Sequence, residues 1–195
     1  MNGTADVFVA AAEVEAFCRG RGWRFCFIGG IAVQRWGTPR FTQDVDLTLL
    51  TGFGGETAYV EALLGRFAGR VREARRFALA HRVVLARTSG GIDLDIALGA
   101  LPFEEGAVGR ASVWRVRDQI ELTTCSAEDL IVHKVFAGRE RDWSDVESVL
   151  TRQHGRLDLD HVHEELAPLL ELKDDTEALP RMERLIDAVD RRTEP

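Results

Sequence analysis

The sequence predicts an α+β fold in which a small mixed β-sheet with flanking helices is followed by a helical C-terminal region. Two apolar segments, 44–50 and 92–98, have the composition and length of buried strands. Helical spacing of apolar residues occurs around them, and it continues without strand patterns after residue 125. These observations place a sheet-containing core in residues 1–125 and a helical region in residues 126–195.

Glycine and proline separate the elements of the predicted core. Gly20 ends the first helix, Gly29 and Gly30 lie directly between a strand and a helix, and Pro39 lies in a loop. In chain order the predicted elements are a helix over 5–19, a strand over 23–29, a helix over 30–36, a strand over 44–50, a helix over 55–69 that ends near Gly69, a strand hairpin of 82–88 and 92–98, and weaker strands over 112–118 and 119–124.

The helical region begins with a capping box. Ser126 is the predicted N-cap and Asp129 the N3 residue of a helix over 126–138. Asp142 is predicted to cap a further helix over 143–155. The remaining residues, with leucines at helical spacing, predict more helix.

The composition argues against a secreted, membrane-spanning or disulfide-rich protein. The N-terminal segment has no basic region followed by an apolar stretch, and no apolar run reaches the roughly 18 residues of a membrane helix. Three widely spaced cysteines, Cys18, Cys26 and Cys125, form neither a metal-binding pattern nor a disulfide framework. We therefore expect a cytoplasmic protein that is not bound to a membrane and has buried free thiols.

Charge is distributed unevenly along the chain. The net charge is −7, and residues 156–195 are strongly acidic. Residues 66–87 instead hold seven arginines and one acid, Glu73. This basic segment predicts either a surface for an anionic polymer such as RNA or a solvated helix face.

Two pairs of aspartates lie on two of the predicted strands. Asp44 and Asp46 begin one strand, and Asp93 and Asp95 have the same spacing on the other. Alternate strand residues share a face, so the two carboxylates of each pair point the same way. Carboxylates that repel one another and are costly to bury are stabilised by Mg²⁺, which prefers oxygen ligands. If the strands are neighbours, the sequence predicts convergent carboxylates around one or two metal ions, suited to phosphoryl displacement.

A site for phosphate is predicted just upstream of the first aspartate pair. Gly29 and Gly30 allow a ligand to approach the backbone closely, and they lie where a helix begins. A helix N-terminus offers free N–H groups and a positive dipole end to an anion. The order of strand, Gly-Gly, helix and Asp-x-Asp strand therefore places an anion site beside a metal site.

The segment GGIAVQRWGTPRFTQDVDL, residues 29–47, resembles the signature of the DNA polymerase β-like nucleotidyltransferase superfamily. With the downstream segment 126–150, it is most similar to the AbiEii/AbiGii-type nucleotidyltransferase toxins. The resemblance covers roughly residues 25–150 and implies a nucleotidyltransferase core. One departure is Gly30, where many members of the superfamily have a serine whose hydroxyl is absent here.

The resemblance also implies roles for individual residues. The residues implied to bind the nucleoside triphosphate are Gly29, Gly30, Arg40, Thr42 and Lys134, with Arg40 and Thr42 either contacting phosphate or ordering the loop. Those implied to bind Mg²⁺ or Mn²⁺ and to act in catalysis are Asp44, Asp46 and Asp95. Asp93 is the rival of Asp95, because the sequence does not fix the strand alignment to within two residues.

The implied activity is transfer of a nucleoside monophosphate from ATP or another NTP to a hydroxyl, with release of pyrophosphate. For a toxin the acceptor is an RNA, such as the 3′ end of tRNA, and a cognate antitoxin protein is the partner. Two alternatives stay open. One is an antibiotic nucleotidyltransferase that modifies aminoglycosides or lincosamides, which the same segment also resembles. The other is a non-catalytic nucleotide-binding partner protein.

Overall fold

The computed structural model describes residues 6–117 and 119–193, which form two compact units. The first unit contains the described residues up to Ile31 together with Phe41–Cys125. The second contains Ala32–Arg40 and the described residues from Ser126 onward. The first unit carries the β-sheet and the second is helical, which confirms the predicted α+β class.

Seven strands and nine helices are present in the part of the chain that the structure describes. The strands are β1 (Phe25–Phe27), β2 (Asp44–Leu50), β3 (Ala68–Gly69), β4 (Val83–Arg87), β5 (Asp93–Gly99), β6 (Ser112–Arg117) and β7 (Ile120–Thr124). The helices are α1 (Val7–Arg19), α2 (Gly29–Trp36), α3 (Glu56–Arg66), α4 (Ala74–His81), α5 (Pro102–Arg110), α6 (Ala127–Ala137), α7 (Glu140–Arg152), α8 (Leu159–Lys173) and α9 (Ala178–Thr193).

One mixed sheet organises the first unit, with the strand order β3-β4-β5-β2-β1-β7-β6. β2 pairs with β5 in parallel and with β1 in antiparallel orientation. β4 and β5 form the predicted antiparallel hairpin. Alternate residues of the central strands, among them Val45, Leu47 and Leu94, are completely buried in the apolar core. Burial of one set of alternate residues leaves the other set, which includes the aspartates, on the opposite face.

The predicted helix over 55–69 ends earlier than expected. α3 stops at Arg66, and Phe67 takes an extended conformation with φ −117°. Its ring is 1% exposed, with its centroid 5.3 Å from that of Phe17. Burial of this ring takes the chain out of the helix, so that Ala68 and Gly69 pair with β4 instead. α4 and α5 have no counterpart among the predicted elements.

The second unit consists of α6 to α9 with the segment Ala32–Arg40. The predicted capping box is confirmed at its N-cap, where Ser126 Oγ accepts a hydrogen bond of 3.0 Å from the backbone N–H of Asp129. α7 begins at Glu140, with Arg139 as its N-cap, and not at Trp143 with Asp142 as its cap, as predicted. The Asp142 carboxylate lies in the first turn, and it accepts a hydrogen bond of 3.3 Å from the backbone N–H of Arg139.

The three cysteines are free and buried, as the sequence predicted. Burial, together with the charge of Glu15, raises the pKa of the Cys18 thiol to about 12. Among the described residues, every helix is too short or too polar to span a membrane.

Candidate active site

The two aspartate pairs lie side by side on neighbouring parallel strands. In the register of β2 and β5, Asp44 is paired with Asp93 and Asp46 with Asp95. Paired residues of adjacent strands direct their side chains to the same face of a sheet. The four carboxylates therefore share one face of the first unit, which the sequence alone predicted only if the strands were neighbours.

The Gly-Gly turn lies directly against this face. Gly29 begins α2 with φ +57°, a left-handed conformation that favours glycine. A Cβ atom at Gly29 would lie 1.9 Å from Asp46 Oδ2, a distance that no real structure allows. The backbone N–H of Gly30 donates a hydrogen bond of 3.3 Å to the same oxygen. The turn and Asp46 are thus in direct contact, and only glycine permits their approach.

Thr42 accounts for the absence of a serine at position 30. A Cβ atom on Gly30 would lie 2.2 Å from Thr42 Oγ1, so the buried threonine fills the space that a serine side chain would need. The Thr42 hydroxyl donates a hydrogen bond of 3.2 Å to Asp44 Oδ1. A hydroxyl is therefore present beside the glycine turn, and it orients the first carboxylate of the site.

Arg70 is a residue of the site that the sequence analysis did not identify. Its Nη1 donates a 2.8 Å hydrogen bond to Asp93 Oδ2, and its Nη2 donates to Asp95 Oδ1. Arg87 also binds Asp93, with 2.5 Å between Nε and Oδ1. The only signal in the sequence was the excess of arginines in residues 66–87, which does not say which of them faces the carboxylates.

The two candidates for the third carboxylate differ in their surroundings. Hydrogen bonds from Arg87 and Arg70 and the charges of both arginines hold the pKa of Asp93 below its usual value. Burial raises the pKa of Asp95, and the charges of Asp44 and Asp93 add to the shift while Arg70 opposes it. Asp93 is therefore neutralised by two cations, whereas Asp95 has one cation and lies among other acids.

The donor set on this face fits a divalent cation. It consists of carboxylate and hydroxyl oxygens, the ligands that Mg²⁺ prefers. Asp44 accepts a hydrogen bond from the Thr42 hydroxyl, and Asp46 accepts one from the backbone N–H of Gly30. As the side chains stand, no described group of three or more Asp, Glu, His or Cys residues is arranged to hold a metal, since Asp93 and Asp95 bind Arg70. Asp44, Asp46 and Asp95 would hold the ion.

Two of the implied nucleotide-binding residues, Arg40 and Lys134, lie in the second unit. Lys134 is 7% exposed, and its Nζ lies 3.0 Å from Asp142 Oδ1 and 2.8 Å from Asp145 Oδ2. Arg40 binds both oxygens of Asp145, at 2.6 and 2.7 Å. This cluster of three buried charged residues and the half-buried Arg40, hereafter the Lys134 cluster, gives Asp142 and Asp145 ion-pair partners within their own unit.

Comparison with known proteins places the chain in a family. The model of the family described as "Nucleotidyl transferase AbiEii toxin, Type IV TA system" matches residues 18–193. The chain belongs to the AbiEii nucleotidyltransferase toxin family. The match spans both units of this AbiEii-family protein, so the helical unit is part of the family's fold and not an addition to it. No curated protein sequence matches the chain significantly.

Three solved structures are similar to this AbiEii-family protein at low sequence identity. An antigenic nucleotidyltransferase-like protein from Paracoccidioides brasiliensis is 13% identical, with a TM-score of 0.54 over 91% of this chain and 94% of that one. The antibiotic-resistance factor ANT(2'')-Ia is 18% identical in a solution structure, with a TM-score of 0.49 over 98% and 94% of the two chains. Its crystal structure with adenylyl-2''-tobramycin is 19% identical, with a TM-score of 0.47 over 96% and 98%.

Proposed function

We propose that this protein transfers a nucleoside monophosphate from ATP or another NTP to the 3′ hydroxyl of an RNA, with tRNA as the leading candidate, in the cytoplasm and with Mg²⁺ or Mn²⁺. The observation that carries the proposal is the in-register pairing of Asp44 and Asp46 with Asp93 and Asp95 beside Gly29. Membership of a toxin family favours an RNA acceptor and a cognate antitoxin as partner.

The residues of the first unit have separate roles in the proposed reaction. The acceptor oxygen forms a bond to the α-phosphorus, the bond to the bridging oxygen breaks, and pyrophosphate leaves with that electron pair. The backbone at Gly29 and Gly30 binds the triphosphate, and the Asp95 carboxylate accepts the proton of the acceptor hydroxyl. When bound, a divalent cation supplies positive charge to the reacting phosphates.

Separate substitutions of the two rival aspartates test the role of Asp95. We expect Asp95→Asn to lower kcat/KM roughly 10²–10⁴-fold, the usual contribution of a general base. Asp93→Asn is its matched control, since it removes the same charge two residues away, from a carboxylate that Arg70 and Arg87 already neutralise. Steady-state transfer assays on both variants measure the effect. A larger loss in Asp93→Asn would assign the third carboxylate to Asp93.

A basic concavity on α4 supports an RNA acceptor. It has a volume of about 310 Å³ and is lined by Arg72, Glu73, Arg76, Phe77, Ala80 and His81. Most arginines of the basic segment form ion pairs with acidic residues, for example Arg75 with Glu61 and Arg82 with Glu56. Arg72 is exposed and has no ion pair with another described residue, so its guanidinium is available to a phosphate. Phe77 adds an aromatic ring of the kind on which nucleic-acid bases stack.

Salt dependence of RNA binding tests the role of this concavity. We expect Arg72→Ala to weaken tRNA binding and to make the slope of log K against log[salt] shallower by about 1, because one phosphate contact is lost. Arg75→Ala is the control on the same helix, since Glu61 holds that guanidinium, and we expect its slope to be unchanged. Fluorescence anisotropy from 50 to 300 mM salt, a range of about sixfold, measures both slopes. Equal slopes in the two variants would show that RNA binds at another part of the protein.

The function itself is tested with α-³²P-labelled nucleotides. Each of the four NTPs is incubated with Mg²⁺, the protein and either total tRNA or a panel of aminoglycosides and lincosamides. Asp44→Ala serves as the inactive control. We expect label on tRNA that depends on Asp44. Label on a drug would support the antibiotic nucleotidyltransferase instead, and nucleotide binding without labelled product would support a non-catalytic partner protein.

A further inference from the structure

Arg70 is held between a fixed backbone and two carboxylates of the candidate active site. It follows β3, at the edge of the sheet, and its backbone N–H donates a 3.0 Å hydrogen bond to the Leu85 carbonyl of β4. From there its side chain crosses β4 to reach Asp93 and Asp95 on β5. The Arg70 side chain therefore spans the width of β4 between its backbone and the two carboxylates.

The contact neutralises oxygens that the proposed reaction needs. Nη1 and Nη2 bind one oxygen each of Asp93 and Asp95, and the side chain is only 22% exposed. The Arg70 Nε is buried, and no hydrogen-bond partner for it is found among the described residues. A buried donor without a partner costs free energy, so this pairing leaves part of the guanidinium's desolvation uncompensated.

We propose that Arg70 is a positioning residue that stands in for the divalent cation, holding Asp95 and Asp93 in place until the ion arrives and competing with it for the same carboxylates. The proposal rests on the proposed metal-dependent function. Three or four carboxylates on one sheet face repel one another, and a cation of the chain itself lowers that repulsion in the absence of metal. Arg70 also discourages a metal from binding alone, because the ion must displace a guanidinium.

The competition predicts a gain of metal affinity when the arginine is removed. We expect Arg70→Ala to bind Mn²⁺ roughly tenfold more tightly than the unsubstituted protein, a factor that corresponds to about 1.4 kcal/mol. Arg70→Lys retains the charge but not the bidentate contact. We expect its Mn²⁺ affinity to lie between those of Arg70→Ala and the unsubstituted protein. The loss of the electron paramagnetic resonance signal of free Mn²⁺ on titration with the full-length protein measures the affinity without any turnover.

Two controls separate competition from a general change of charge. Arg87→Ala removes the same charge from Asp93 alone, at a guanidinium that is 53% exposed, and we expect less than about a threefold gain. Arg70→Ala combined with Asp95→Asn should lose the gain, because the released carboxylate is gone. Circular dichroism spectra confirm that each variant is folded before titration.

The outcomes distinguish this inference from the function on which it rests. Equal Mn²⁺ affinity in Arg70→Ala and the unsubstituted protein, with nucleotide transfer intact, would overturn the role of Arg70 alone. An equal gain in Arg87→Ala would also overturn it, since the effect would then be one of net charge. Absence of Mn²⁺ binding by every variant, together with absence of transfer, would overturn both the inference and the metal-dependent function.

Discussion

Asp46→Asn will leave the protein folded and lower nucleotide transfer on the order of 10³-fold, equivalent to about 4 kcal/mol at the transition state. Asp46 is the carboxylate in direct contact with the glycine turn, through the backbone N–H of Gly30 and the space left by Gly29. An asparagine retains the shape and an oxygen that accepts this hydrogen bond, but it has no charge for a metal ion. The loss is therefore expected in catalysis and not in the fold.

Folding and activity must be measured on the same preparation of this variant. Removal of one of four neighbouring negative charges lowers their mutual repulsion, so the melting temperature of Asp46→Asn should equal or exceed that of the unsubstituted protein. Glu61→Gln is the matched control, since it removes one negative charge from an exposed position of the same unit. Full transfer activity in Asp46→Asn would show that the metal site has been wrongly assigned.

Local patterns in the sequence predicted the strands that carry the site. Apolar alternation placed the strand of Asp44 and Asp46 at residues 44–50, the bounds of β2. It could not show that β2 and β5 are adjacent, parallel and in register, because nothing within either strand specifies its neighbour. That pairing depends on the order of all the strands in the sheet. The metal site depends on this adjacency, which could only be assumed from the sequence and which the structure shows.

Features that the sequence did not predict depend on contacts between distant residues. Arg70 binds acids 23 and 25 positions further along the chain, and no periodic pattern separates it from the other arginines of its segment. Phe67 ends α3 through burial against Phe17 of α1, although its residue type is compatible with helix. In both cases the sequence gives the chemical group, and the tertiary structure decides what it contacts.

The contacts of the buried charged residues in the second unit could not be predicted from the sequence either. Lys134 was expected to reach phosphate because of the family resemblance, and that contact remains a proposal. In the structure its ammonium binds two carboxylates that follow it by 8 and 11 positions, of which Asp142 was expected only to cap a helix. An ammonium has three donors, so these two ion pairs leave one N–H group for a further acceptor. A stabilising role and a phosphate contact are thus compatible for Lys134.

Lys134→Met will destabilise the second unit by roughly 2–4 kcal/mol, because it leaves the Lys134 cluster with two buried carboxylates and fewer cations. Burial opposes ionisation of these carboxyls, yet hydrogen bonds from Arg139, Arg40 and Lys134 hold the pKa values of Asp142 and Asp145 below 3.8. Groups with a lowered folded-state pKa stabilise the fold above their unfolded pKa and lose that effect as the pH falls. The difference between the two proteins should be full at neutral pH and shrink below pH 3.8.

Lys173→Met is the control for this prediction, because it makes the same chemical change at the other lysine of the chain. The Lys173 side chain is 39% exposed and pairs with Asp175 at 3.2 Å, so we expect its loss to cost less than about 1 kcal/mol. Urea unfolding gives the size of each effect, and hydrogen exchange by mass spectrometry locates it. Faster exchange in α6 and α7 with unchanged exchange in β2 and β5 is expected for Lys134→Met. Equal stability of the two lysine variants would show that the buried ion pairs contribute no more to folding than the exposed pair of Lys173, and a contact with substrate would then be the remaining role of Lys134.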